Sequence, residues 1–333
     1  MGSSGAALNN LDIILITFNR RDFLEKTLKT LFSSPFRGCN LWLLNNASTD
    51  DTLQVCYFWQ SQFPHCTLVT HTFNIGGNAN ILRAYEYGNA EYKWILCDDD
   101  DLQFEPIEDL LETIQESKYD LIRISDAEIE KKERGQANTL SEILEGKNQS
   151  SFLSFSFVPG VIFRANPIAL TMNRAYHHIY TSYPQLFVLF GAFELSASVY
   201  TTRQAVVVRG VNTNGTGCEV YRYWFLATRA IRSTLGQKKA ISTIIRRKTI
   251  LGLGIAITRD KLNGRRFENL FFAWRSIYQS APNWLSKLVV LLSFPFVLVP
   301  KPILQKLVSI LAPEKFQIWD FHQIRQNREH DES

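Results

Sequence analysis

Long apolar runs are scarce in this 333-residue sequence. The stretch Leu288–Val299 reaches 12 residues, with Ser293 and Pro295 inside it, well short of the ~20 that a bilayer-spanning helix needs. Paired cysteines are lacking too. The five present (Cys39, Cys56, Cys66, Cys97, Cys218) are odd in number and show no CxxC or zinc-type spacing, so they read as free thiols of a reducing compartment. Met1–Asn10 has no basic residues leading into an apolar core, so no secretory leader is expected, and the sequons at Asn46 and Asn148 carry little weight. There is no GxxxxGKS/T, and Asn74-Ile75-Gly76-Gly77-Asn78-Ala79 does not make GxGxxG. That argues against P-loop ATPases and dinucleotide-dependent dehydrogenases.

Acidic residues nearly vanish from 220–312, where only Asp260 and Glu268 stand against 16 Lys+Arg. That segment carries +14, residues 1–219 carry −8 and residues 313–333 carry −2, so the overall +4 conceals a step. A step of this size predicts a boundary near residue 219 and an anionic partner for the basic part. No nucleic-acid recognition motif accompanies the charge, so nucleic acid is not expected. With 45% hydrophobic residues, the chain has the apolar surface to offset its ordering entropy, which excludes a disordered protein.

What is present is alternation. Leu11–Phe18, Asn40–Leu44, Cys66–Thr70 and Tyr92–Cys97 read as strands, being short, apolar and rich in β-branched residues. Between them, Asn19 can cap a helix carrying Leu24, Leu28 and Leu31, Thr52–Gln62 reads as a second helix, and a third runs from Gly77 through Ala90. Pro106 fits the first turn of a helix whose Ile107, Leu110, Leu111 and Ile114 share a face. The pattern predicts an α/β fold, a Rossmann-like, mostly parallel sheet flanked by helices. Ligands of such sheets sit beyond the carboxyl ends of the strands. Thr17/Asn19, Asn45/Asn46, Asn74/Gly76 and Asp98–Asp101 all follow strand ends, so four loops converge on one crevice.

Four adjacent carboxylates repel one another, and a divalent cation relieves the repulsion. Oxygen ligands favour Mg²⁺ or Mn²⁺, which commonly bridges carboxylates to phosphates. A two-metal phosphoryl-transfer site is a competing reading of the same aspartates.

Ile13–Arg20 (IILITFNR), Leu43–Thr52 (LLNNASTDDT), Asn74–Arg83 (NIGGNANILR) and Trp94–Leu102 (WILCDDDDL) resemble, in order and spacing, the GT-A glycosyltransferases of the family 2 type. The Asn-Asn turn, the NxGxxxNILRA loop and Ser182-Tyr183-Pro184 are similar to the abequosyltransferase-like branch. The resemblance covers roughly residues 10–125. It implies a GT-A-like fold, a nucleotide-sugar donor (UDP-, dTDP- or CDP-linked), Mn²⁺ or Mg²⁺ on the aspartates, and sugar transfer to a hydroxyl acceptor. By position, Thr17, Phe18 and Asn19 line the nucleotide, and Asn45 faces its base or ribose. Asn74, Gly76, Asn80, Arg83, Asp98 and Asp99 contact the donor, and Asp98, Asp100 and Asp101 hold the metal. Asn45 stands where many relatives have aspartate; an amide donates as well as accepts, which leaves room for cytosine.

Inverting relatives usually draw a base from a Glu-Asp pair opening a helix, and Thr181–Leu186 has no carboxylate. His178 and Glu194 are then the candidate catalytic residues, with His177 beside them. Phe152–Arg164 predicts a strand, a Pro159-Gly160 turn and a second strand lining the acceptor cleft. Val206–Thr216 predicts a strand entering an Asn/Gly loop over the diphosphate, with Arg209 helping. The expected organisation is a tail (1–10), a catalytic domain (11–219, its nucleotide-sugar half 11–125 and acceptor half 126–219) and a basic amphipathic helical region (220–333). Cations interleaved with aromatics there point to an anionic membrane surface, and to a cytoplasmic enzyme peripheral on the inner face of the cell membrane. A lipid-linked glycan of surface polysaccharide assembly is the expected acceptor. A metal-dependent nucleotidyl- or phosphotransferase, or a silent sugar-nucleotide binding module, stays open beside this reading.

Overall fold

Seven consecutive buried residues, Leu11–Thr17, form β1, an interior strand of the sheet. The computed structural model describes residues 9–125, 129, 131–145, 154–179, 183–193 and 195–208, together with 261–262, 271, 274–275, 278 and 284–311. β1 pairs in parallel with β2 (Asn40–Asn45) on one side and β4 (Tyr92–Cys97) on the other, and β2 pairs in parallel with β3 (Cys66–Thr70). The sheet continues through β8 (Val161–Arg164), β6 (Leu121–Arg123), β9 (Ser198–Thr201) and β7 (Ala137–Thr139), in the order β3-β2-β1-β4-β8-β6-β9-β7. Only β8 and β7 run against the others, so the sheet is mostly parallel, as the alternation predicts.

Both faces are covered, which is why β1 is apolar almost throughout. Leu11, Ile13 and Leu15 share a core with Leu24, Leu28 and Leu31 of α1 (Arg21–Phe32), Val55 and Trp59 of α2 (Thr52–Gln62), and Leu110 and Ile114 of α4 (Glu108–Glu116). Ile14 and Ile16 alternate to the opposite face. α3 (Gly77–Ala84) packs on β1, and α6 (Met172–His177) and α7 (Pro184–Ala192) pack on α3. α5 (Leu140–Glu145) follows β7. A two-stranded ribbon, β5 (Asp101–Leu102) antiparallel to β10 (Val207–Val208), stands at the carboxyl end of β4.

Several expected elements differ. The helix after Gly77 ends at Ala84 rather than near Ala90. The Ala90 amide donates to the buried Asp12 carboxylate at 2.7 Å, and Gly88 turns at φ +83° where a Cβ would lie 2.2 Å from that carboxylate. α4 begins two residues after Pro106, which follows a cis peptide bond. Ahead of β8, Ser154–Ser156 and Val158–Gly160 form 3₁₀ turns where a strand was expected. Pro159 cannot donate to a ladder, and its carbonyl instead accepts from Trp94 Nε1 at 2.8 Å.

The chain divides into two compact units, Met1–Val211 and Asn212–Ser333. The charge step at residue 219 lies outside the described residues. In the second unit, α8 (Trp284–Leu292), α9 (Phe294–Leu298) and α10 (Lys301–Leu311) follow one another. Trp274 packs on Tyr278 and Phe294 and donates to the Val290 carbonyl at 2.8 Å. No single helix among the described residues is long and apolar enough to cross a membrane.

Candidate active site

The carboxyl ends of β1 and β4 meet at Asp98. Its side chain is 4% exposed. Thr17 Oγ1 donates to Asp98 Oδ2 at 2.6 Å, and Arg20 Nη1 donates to Asp98 Oδ1 at 3.1 Å. Thr27 Oγ1, from α1, donates to the Asp98 carbonyl at 2.9 Å. Burial pushes the Asp98 carboxyl up to about 6, against the opposing pull of Thr17 and Arg20. Arg20 also pairs with Asp99 at 2.6 Å, and Lys26 donates to Asp101 at 2.6 Å, which holds the Asp101 carboxyl below its usual range.

The aspartates are therefore not four equivalent ligands. Repulsion among them is already relieved in part by Arg20 and Lys26, two residues that the sequence reading missed. Of the three expected metal ligands, Asp98 has Thr17 and Arg20 on its two oxygens, and Asp101 lies on β5 against Lys26. Donor atoms of Asp100, Asp99 and Cys97 lie within 4.8 Å of one another. Burial, reinforced by the aspartates, pushes the Cys97 thiol well above its ordinary value. The carboxylates of that cluster are Asp99, which also pairs with Arg20, and Asp100, and one or two carboxylates are what Mg²⁺ or Mn²⁺ commonly bridges to phosphate.

The neighbouring loops are tied together by amides. Asn19, expected as a helix cap, instead sits at φ +50° and receives the Thr49 amide on Oδ1 at 2.8 Å, while its own amide donates to Ser48 Oγ at 3.0 Å. The residue before α1 is Arg20, whose backbone amide donates to Thr52 Oγ1 at 2.9 Å. Phe18 is exposed at the end of β1. Asn45 is fully buried; its Oδ1 accepts from the Ser48 amide at 3.1 Å and its Nδ2 has no partner. Asn46 crosses to the next loop, donating to Asn74 Oδ1 at 2.8 Å and accepting from the Ile75 amide at 3.0 Å. Asn74 Oδ1 also accepts from the Gly76 amide, and Gly76 turns at φ +85° into α3. On α3, buried Asn80 holds His71 at 3.2 Å, and Arg83 pairs with Glu86.

The candidate bases have separate outcomes. His178 ends α6 and stacks on buried Phe187 of α7 with ring centroids 4.2 Å apart. The next residue, Ile179, accepts from Asn78 Nδ2 at 3.0 Å, which links this segment to the Gly76–Gly77 loop. Glu194 and Arg209 lie outside the described residues. Gln185, in α7, is buried; it donates to the Ser156 carbonyl at 2.8 Å and leaves Oε1 without a partner.

A mostly parallel sheet whose strand ends carry an acidic loop, two asparagine turns and a glycine-led helix defines a GT-A-type domain. Residues 12–177 match the family described as glycosyl transferase family 2, and the chain carries a domain of that family. Abequosyltransferase RfbV of Salmonella typhimurium is 25% identical over 223 residues, covering 59% of this chain and 65% of the relative. The match thus spans just under two thirds of that relative's length. The crystal structure of S. aureus TarS 1-349 superposes with a TM-score of 0.57 at 16% identity, over 96% of this chain and 90% of that one. TarS 1-349 in complex with UDP superposes at 0.58 with the same identity and coverage. At that identity the likeness concerns the fold.

Proposed function

We propose that this chain is a glycosyltransferase that moves a sugar from a nucleotide-sugar donor to a hydroxyl on a lipid-linked glycan of surface polysaccharide assembly. The convergence of Thr17, Arg20, the two asparagine turns and Asp98–Asp101 at one sheet edge carries the reading. Asp99 and Asp100 would hold a divalent cation, which supplies positive charge to the departing diphosphate. Asp98 is a positioning residue: held by Thr17, Arg20 and Thr27, it orients the loop that presents the other two. The amides of Ile75 and Gly76, oriented by Asn46 and Asn74, shape the loop leading into α3.

The relative named for abequosyl transfer and the TarS complexes with UDP and UDP-GlcNAc support a nucleotide-sugar donor. An amide at position 45 donates as well as accepts, which favours a base with a ring acceptor, hence cytosine over uracil or thymine. Calorimetry with UDP-, dTDP- and CDP-sugars, with and without Mn²⁺, tests both parts. Asp100→Asn is expected to abolish cation-dependent donor binding. Unchanged binding would remove the metal assignment, and a clear preference for UDP would end the cytosine one. Release of inorganic pyrophosphate in place of nucleoside diphosphate would point to a nucleotidyltransferase.

A further inference from the structure

We infer that the second unit docks on an anionic lipid surface through the outward faces of α8 and α10, an inference independent of the catalytic reading. In α8, Trp284, Leu288, Leu291 and Leu292 recur at i, i+4, i+7 and i+8, which places them on one stripe. All four are exposed, Trp284 at 75% and Leu292 at 67%. Val290, on the other side, is buried beside Trp274. α10 repeats the arrangement: Ile303, Leu307 and Ile310 are exposed at i, i+4 and i+7, whereas Leu304 is buried. α9 adds exposed Phe296 and Leu298. Each helix thus has one apolar side turned inward and another turned to solvent.

Scattered apolar side chains on a surface are ordinary, and a cluster is not. Of the 16 large hydrophobic side chains exposed among the described residues, nine fall between Trp284 and Ile310. Charge identifies the occupant. Lys287 and Lys306 precede Leu288 and Leu307 and flank the two stripes in the same sense, and Lys301 opens α10. Residues 284–311 contain no Asp or Glu, so a second copy of this face would set lysines against lysines. An anionic bilayer takes the stripes into its acyl boundary, the lysines to its phosphates and Trp284 to the headgroup level. Val290–Leu298 and Lys301–Leu307 meet at a bend of 115°, which suits an element lying in the interface.

The test is co-sedimentation of the full chain with vesicles of phosphatidylglycerol and phosphatidylcholine in equal parts, against phosphatidylcholine alone. Pelleting is expected with the anionic vesicles at low salt, weakening as salt rises. Lys287→Gln and Lys306→Gln should each lower the partition coefficient about fivefold. Leu292→Gln combined with Ile310→Gln should lower it about tenfold or more, while leaving the thermal melt unchanged because both side chains are exposed. Absence of pelleting at low salt, or equal pelleting of the double variant, overturns the inference. So does a vesicle-free dimer that the double variant abolishes, since the face would then belong to a second copy.

Discussion

Asp98 ties the loops of the candidate site together through one side chain and its carbonyl. It is buried, accepts from Thr17 and Arg20, and is held with its carboxyl near 6. An acid whose folded-state value is raised binds its proton more tightly in the folded protein. Its stabilising contribution is then fully present below about pH 4 and lost as pH climbs through about 6. Thermal melts of the cation-free protein between pH 4 and 7 should show this loss, and Asp98→Asn should flatten it. Parallel slopes for the two proteins would contradict the assignment. The residue types at the strand ends were legible in the sequence because each motif is local. Arg20 and Lys26 as partners were not, because 78 and 75 residues separate them from the aspartates they neutralise. An argument from like-charge repulsion counts only neighbours along the chain.

Individual elements were read well where periodicity decided them and poorly where a distant side chain did. β3, β4 and α2 have the bounds that the pattern implies. The stretch after α3 does not, because Asp12 of β1 captures the Ala90 amide and leaves room only for glycine at 88. Gly88→Ala should therefore destabilise the protein by roughly 2–4 kcal/mol, through strain at positive φ and a clash with a buried carboxylate. Gly77→Ala makes the control: nothing lies within 4 Å of its added Cβ, so an effect within about 1 kcal/mol of neutral is expected at the start of α3. Urea unfolding of the two variants measures the difference, and similar costs would refute the account. The 3₁₀ turns before β8 have the same kind of cause, since the Pro159 carbonyl is taken by Trp94, a residue 65 positions away.

At the scale of the whole molecule, the chain forms two compact units. Every described residue of the candidate site lies in Met1–Val211, and that unit contains the core built on β1. Residues 1–211 produced alone should unfold cooperatively in urea and retain nucleotide binding by calorimetry while losing vesicle affinity. A non-cooperative transition would show that the first unit depends on the second. The sequence alone determined the strand–helix alternation, the four polar loops at strand ends and the charge step, because hydrophobic period and local turn chemistry act within a few residues. Tertiary structure alone decided that β8 and β7 run against the sheet, that Arg20 and Lys26 divide the aspartates, and that the apolar stripes of α8 and α10 face outward. Those outcomes depend on pairing across long loops and on which of two apolar sides finds a partner. Neither is encoded in the spacing of neighbouring residues.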